Sequence, residues 1–331
     1  MRRLLLMFFF ALCVLAVTVG GTVWWWLHQP LSLSATRIDL SIEPRTLPRE
    51  VALAAVDAGV QTDPDWLFAW FRLSGKSRQI KAGSYELTTG VTPRSLLQKL
   101  VRGEESLKSI TLVEGWNFRQ VRGALLKEEL LEQTLKGLPD DLVMNQLGRP
   151  GQHPEGRFFP DTYTFAKGST DLAVLSRALR AMDKKLDAAW TQRAPDAAVK
   201  TPEEALILAS IVEKETGLAN DRPQVASVFS NRLRINMPLQ TDPTVIYGLG
   251  SSFDGNLRKK DLQTDTPYNS YTRRGLPPTP IAMPGKAALL AAVQPPPTQW
   301  LYFVARGDGS SQFSANLDAH NRAVDKYQRG K

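Results

Sequence analysis

The chain opens on Arg2-Arg3 and then carries no charge from Leu4 to Leu27, a run of 24 residues that closes on Trp24-Trp25-Trp26-Leu27. As a helix rising about 1.5 Å per residue, such a run crosses a hydrocarbon layer of roughly 30 Å. Basic residues ahead of it favour an N-terminal tip, residues 1–3, left in the cytoplasm, and the tryptophans suit the opposite interface. The alternative is a cleaved leader, but the run exceeds the usual apolar core of one and lacks a clear A-x-A site. A retained single-pass anchor at 4–27 is therefore expected, with the rest of the chain outside the cytoplasm. No second span of adequate length follows.

Residues 28–36 read as a juxtamembrane connector. The alternation of Arg37–Ile42 then predicts a strand, Pro48–Ala58 and Pro64–Arg72 short helices, and Gly83–Leu87 a second strand. A third helix starts at Thr92-Pro93-Arg94-Ser95 and stops at Gly103. This is a small α+β unit over 37–105. Next come a strand at Ile110–Val113 and a helix at Phe118–Leu131, a possible linking subdomain within a larger mixed α/β domain over 106–331. Helices follow near 170–190, 202–217 and 222–235. Met237–Gly285, rich in Pro, Gly, Asn and Tyr, reads as a long loop-heavy segment, of the kind that more often binds than idles. A helix at 286–293, a strand at Trp300–Ala305 and a helix at 317–328 complete an α+β chain.

Composition narrows the chemistry. Lone Cys13 lies in the span, and the histidines are only His28, His153 and His320, so no disulfide and no local metal cluster is expected. No cofactor-binding glycine fingerprint, phosphate loop or G-x-S-x-G elbow occurs. The formal net charge of +8 suits an anionic partner, but the basic residues are spread along the chain, and no nucleic-acid arm is formed. Nucleic acid is not expected as a partner.

The best-defined element is Thr201–Gly217. Thr201 with Glu204 predicts a capping box, Pro202 suits the first helical turn, and Ala205–Val212 is apolar except for Ser210. A helix this apolar is buried on most sides, yet it ends in Glu213-Lys214-Glu215. At about 100° per residue the two carboxylates point roughly 200° apart and cannot converge on one ligand. Periodicity leaves open which of them faces a cleft, and equally whether both are last-turn residues, solvated or paired with Lys214, Arg222 or Arg232. The loop segment adds Gln240, Thr241, Asp242, Tyr247, Tyr268, Asn269 and Tyr271, side chains that stack on sugar faces and bond hydroxyls.

Read in order, Glu114-Gly115, Glu155-Gly156, Phe159-Pro160-Asp161-Thr162-Tyr163, Ala209–Thr216, Leu239–Gly248, Tyr268–Tyr271, Gly275-Leu276-Pro277-Pro278, Tyr302-Phe303-Val304 and His320-Asn321 resemble the endolytic murein transglycosylases, the YceG-like family. The resemblance covers nearly the whole chain. It implies a bacterial inner-membrane enzyme, its catalytic domain periplasmic, that cuts nascent peptidoglycan strands and leaves 1,6-anhydro-N-acetylmuramyl ends without a cofactor or metal. It implies Glu215 as the catalytic group, with Glu213 the second choice, and a LysM-like fold for 37–105. The glycan-binding set expected beside it is Glu155, Asp161, Asn231, Arg232 and the loop residues above. Arg157 and Thr279 stand where the family commonly has an apolar residue and a glycine. Penicillin-binding synthases are the implied protein partners. A rival class is a wall-binding scaffold without catalysis, which would position such synthases.

Overall fold

The computed structural model describes residues 2–43, 45–104 and 107–330, with side chains from Phe9 onward; the tip at 1–3 is thus only partly within the described residues. It is a mixed α/β structure of two compact units, residues 1–108 with 165–167, and 109–164 with 168–331.

In the first unit, helix α1 (Arg2–His28) runs past both ends of the expected span, and Phe9–His28 is long and apolar enough to cross a membrane. The stretch after it is not a free connector. The Leu31 amide donates to the Val91 carbonyl at 2.7 Å, and β1 (Ser32–Leu33) pairs antiparallel with β3 (Val60–Gln61), because Leu31 is itself a core residue. Strand β2 (Arg37–Ile42) alternates as its sequence demands, with Ile38, Leu40 and Ile42 inward, and pairs antiparallel with β4 (Gly83–Thr88). Helices α2 (Pro48–Asp57), α3 (Pro64–Leu73) and α4 (Pro93–Arg102) supply Val51, Leu67, Phe71, Leu96 and Leu100 to the same core. The Thr92 hydroxyl caps α4 by accepting from the Ser95 amide at 3.1 Å, and Gly103, at φ 73°, ends it in the left-handed conformation that glycine adopts without strain.

The second unit is mainly helical. Strand β5 (Leu107–Thr111) begins earlier than expected, pairs with β6 (Thr162–Ala166), and leaves Val113 exposed. Helix α5 (Phe118–Leu126) stops short of Leu131, where the Gln133 side-chain Nε2 donates to the carbonyls of Leu125 and Glu128 and holds the chain in a turn. A short α6 (Asp140–Gln146) was not legible; it starts after Pro139 on two acidic residues.

The core is built on α7 (Asp171–Thr191), α8 (Pro202–Glu215), α9 (Arg222–Arg234) and α12 (Lys286–Val293). Every residue from Ala205 to Val212 is buried, as the apolar run requires. Ser210 is tolerated because its hydroxyl donates to the Ile207 carbonyl at 2.7 Å and accepts from the Ile281 amide at 3.0 Å. The expected capping box is half formed. Thr201 accepts from the Glu204 amide, but Glu204 reaches back to the Lys200 amide instead of that of Thr201. The helix also ends at Glu215, with Thr216 extended, two residues before Gly217. The segment 237–285 is not wholly loop, for it holds α10 (Asp242–Leu249) and α11 (Lys259–Gln263). Strands β7 (Tyr302–Ala305) and β8 (Ser311–Ser314) form an antiparallel pair beside α13 (Leu317–Gln328).

Candidate active site

The last turn of α8 carries its two carboxylates to different places, as the angular argument requires. Glu213 is turned inward: its Oε2 accepts from the Gly285 amide at 2.9 Å, and Arg222 lies 3.8 Å from Oε1, with the Glu213 side chain only 6% exposed. At Gly285 a Cβ would meet the end of the exposed Glu114 side chain, which would have to swing aside to admit it. Glu213 is thus a tie between α8, α9 and the start of α12. Burial raises its pKa, and the Gly285 hydrogen bond opposes the rise.

Glu215 opens instead onto a cavity of about 820 Å³, whose walls include Thr216, Arg232, Gln240, Asp242, Tyr271, Tyr302, His320 and Asn321. Its Oε2 accepts a hydrogen bond from the Thr241 hydroxyl at 2.7 Å. Burial pushes the Glu215 pKa up; the Thr241 bond opposes this, neighbouring Asp242 adds to it, and Arg232 opposes it. The negative end of the α8 dipole falls here as well, a further influence against the charged form.

The loop around Thr241 is held by hydrogen bonds that the sequence does not advertise. The Thr241 amide donates to Ser270 Oγ at 3.0 Å and that of Gln240 to the Ser270 carbonyl at 3.0 Å. Thr244 donates to the Thr241 carbonyl at 2.8 Å. Gln240 adopts φ 50°, uncommon for a residue with a side chain, and the ties on both sides fix that strained turn. On the other flank, the Tyr271 hydroxyl donates to Asp242 Oδ1 at 2.6 Å. Arg232 is 7% exposed, and its guanidinium donates to the carbonyls of Leu301 at 2.7 Å, Leu239 at 2.8 Å and Pro238 at 3.2 Å. It joins α9, β7 and the Thr241 loop while its face lies 5.2 Å from the Tyr302 ring centre.

The remaining expected residues separate. Glu155, Tyr247 and Tyr268 line a second cavity of about 620 Å³, with Lys214 among its walls. Asp242 at the start of α10 lines the first cavity and Tyr247 near its end the second, so this helix contributes to both. Glu155 is 3% exposed and accepts from the Phe118 amide at 3.0 Å and the Tyr247 hydroxyl at 3.1 Å; burial raises its pKa to about 7 despite both bonds. Gly156 after it sits at φ 77°, where a Cβ would press on the Pro280 ring.

Four expected residues line neither cavity, and one of them is Thr241, buried behind the cleft with only its hydroxyl bonded to Glu215. Asn231 donates to the carbonyls of Thr298 at 2.9 Å and Trp300 at 3.0 Å. Asn269 is fully buried and donates to those of Leu262 at 3.0 Å and Thr264 at 2.7 Å. Asp161 is exposed, its carboxylate accepting from the adjacent Thr162 amide at 2.7 Å. Conversely Tyr302, His320 and Asn321 line the cleft, and the sequence signals them only through the motifs Tyr302-Phe303-Val304 and His320-Asn321. The two departures from the family pattern have partners: Arg157 pairs with Glu203 at 2.5 Å, and the hydroxyls of Thr279 and Tyr268 bond at 2.8 Å. Among the described residues no group of three or more His, Cys, Asp or Glu could hold a metal ion.

An endolytic murein transglycosylase of Bacillus subtilis is 34% identical over 264 residues, spanning 75% of this chain and 73% of its own length. One from Streptococcus pneumoniae serotype 2 is 28% identical over 301 residues, 80% of this chain but 54% of the longer relative. The crystal structure of a YceG-like protein from Listeria monocytogenes superposes with a TM-score of 0.52 at 28% identity, covering 87% of this chain and 98% of that one. The profile of the YceG-like family matches residues 40–326, a stretch that takes in α8, the Thr241 loop and most of α13, and the chain belongs to that family.

Proposed function

We propose that the chain is an endolytic murein transglycosylase, cutting the bond between N-acetylmuramyl and N-acetylglucosaminyl residues within peptidoglycan strands, with Glu215 as its one proton-transfer group. The observation that carries this reading is the Glu215 carboxyl at the end of a buried apolar helix, its pKa raised by burial, opening onto a cleft. The cleft volume, about 820 Å³, lies within the usual range of ligand sites, about 300–1,000 Å³.

Protonated Glu215 donates its proton to the glycosidic oxygen as the bond from that oxygen to the muramyl C1 breaks. The resulting carboxylate then accepts the proton of the muramyl C6 hydroxyl as O6 closes onto C1. One C–O bond breaks, one forms, the carboxyl returns to its starting state, and no water is consumed. Most hydrolytic glycosidases use a second carboxylate as nucleophile or to activate water. Here the nucleophile belongs to the substrate, and the inward turn of Glu213 supports a single-carboxyl scheme. Gln240, Asp242, Tyr271 and Tyr302 are the groups proposed to hold the sugars.

The same reading extends to the setting. Helix α1 anchors the chain in a bacterial inner membrane, with the N-terminus cytoplasmic and the remainder periplasmic; the charge-free run and its flanks support this topology. Residues 37–105 are proposed as a LysM-like unit and 106–331 as the catalytic domain, with penicillin-binding synthases as the source of nascent strands. Incubating the full chain with un-crosslinked strands and reading glycan ends by mass spectrometry tests the reaction. New 1,6-anhydro ends are expected; new reducing ends, one water heavier, would instead mark a hydrolase.

A further inference from the structure

Helix α3 has two apolar faces, and the core of the first unit uses one. Leu67 and Phe71 are fully buried. On the other side Trp66 is 57% and Leu73 83% exposed, with exposed Ala69 between them. Steps of three and four residues put Trp66, Ala69 and Leu73 on one stripe, which a helix bordering water ordinarily fills with polar residues.

That stripe is continuous with α1. The rings of Trp66 and Trp26 meet edge to face with centres 5.7 Å apart. An apolar hollow of about 340 Å³ is walled by Val23, Trp26 and Leu27 from α1 and by Trp66, Trp70 and Leu73 from α3. The carboxylate at its rim, Asp65, is engaged by Arg49 at 3.1 Å. Residues 23–27 are the last turns of the candidate span Phe9–His28, so groups packed beside them lie at the level where the membrane meets water. The end of α1 is also fixed to the unit: Leu27 is buried, Arg94 donates to His28 Nε2 at 3.0 Å, and the Leu31 amide donates to the Val91 carbonyl. Exposed Arg72, Lys76 and Arg78 border the stripe or follow it, where they suit anionic headgroups.

We propose that α3 is an interfacial helix: its Trp66–Ala69–Leu73 stripe, beside the exposed Trp24 and Trp25 of α1, rests among the headgroups and first acyl carbons of the leaflet at the C-terminal end of the span. The occupant of the hollow is phospholipid, and the first unit lies against the bilayer surface instead of swinging on a tether. This inference rests on the reading of α1 as a membrane span.

The test uses the full chain with Cys13→Ser, reconstituted in phosphatidylethanolamine and phosphatidylglycerol vesicles, with one new cysteine carrying an environment-sensitive fluorophore. Leu73→Cys and Ala69→Cys report on the stripe, Val17→Cys on the span, and exposed Ser41→Cys in β2 on water. The Leu73 and Ala69 labels are expected to shift to the blue and to be quenched by lipids with a nitroxide near the headgroup. The Val17 label should respond most to a nitroxide deep in the acyl chain, and the Ser41 label to neither. If Val17 is quenched while both stripe labels stay in water, the interfacial helix is refuted and the span stands, which would leave the stripe to a protein partner. If Val17 itself stays in water, the span reading fails and takes this inference with it.

Discussion

The Thr241 hydroxyl donates a 2.7 Å hydrogen bond to Glu215 Oε2, joining a loop and the end of a buried helix that lie 26 residues apart in sequence. A bond to the carboxylate favours its charged form, so it opposes the effect of burial and sets how far the Glu215 pKa rises. Thr241→Val removes that bond while keeping the shape of the side chain. The Glu215 pKa then moves further up. The proposed general acid Glu215 acts in its protonated form, so the alkaline limb of the pH–rate profile is expected to shift to higher pH, and loss of orientation to lower the maximal rate by about tenfold. A pH–rate series on un-crosslinked strands checks both effects.

Arg232 carries a structural load next to the cleft. Its guanidinium satisfies the carbonyls of Leu301, Leu239 and Pro238, and no smaller side chain reaches all three. Arg232→Gln is expected to cost about 2–4 kcal/mol and to loosen the Thr241 loop. The measurement is denaturant unfolding, paired with activity assayed well below the melting temperature, where a rate loss beyond the unfolded fraction reports on the loop.

Glu155 gives the fold a pH dependence of its own. Its pKa is about 7 when folded, above the ordinary carboxylate value of 4.5, so between those limits the folded state binds more protons than the unfolded chain. Stability contributed by this group is therefore fully present below the unfolded value and lost as pH rises through the folded one. The loss amounts to about 3 kcal/mol across that window. In Glu155→Gln this slope disappears, with Phe118 still bonded to the amide oxygen. Unfolding free energies at the two ends of the window, for both proteins, decide it.

Gly156 holds the same corner by backbone geometry. Gly156→Ala imposes a left-handed residue and a clash with Pro280, at an expected cost of about 1–3 kcal/mol. Asp161→Asn, by contrast, changes an exposed side chain whose carboxylate accepts from the adjacent Thr162 amide, a bond that the amide oxygen of asparagine can keep, and should leave both stability and glycan cleavage within about 0.5 kcal/mol of the parent. Thermal melts and the strand-cleavage assay check the pair.

Local patterning foretold the helices with strong end signals, such as α4 with Thr92 and Gly103, and the alternating strand β2. The same α8 pattern that buries Ala205–Val212 also separates Glu213 from Glu215. What periodicity could not supply is which of the two meets a cleft, because that depends on Gly285, Arg222 and Thr241, all distant in sequence. The loop polar residues looked alike for the same reason. Asn231 and Asn269 turn inward to backbone carbonyls, whereas Gln240, Asp242 and Tyr271 face the cavity, a division that follows from the register of long-range contacts and not from residue type. Helix α10 was hidden in a segment rich in turn formers, although Asp242-Pro243 after Thr241 is a good helix start.

Glu215 alone is proposed to move the proton. The most direct measurement compares Glu215→Gln and Glu213→Gln with the parent chain for the release of 1,6-anhydro-ended glycans from un-crosslinked strands, with folding verified by circular dichroism. Glu215→Gln is predicted to stay folded and to release no anhydro ends above background. Glu213→Gln should lose stability through the Gly285 and Arg222 contacts but still release them. Anhydro products from folded Glu215→Gln at a rate near that of the parent would contradict the account.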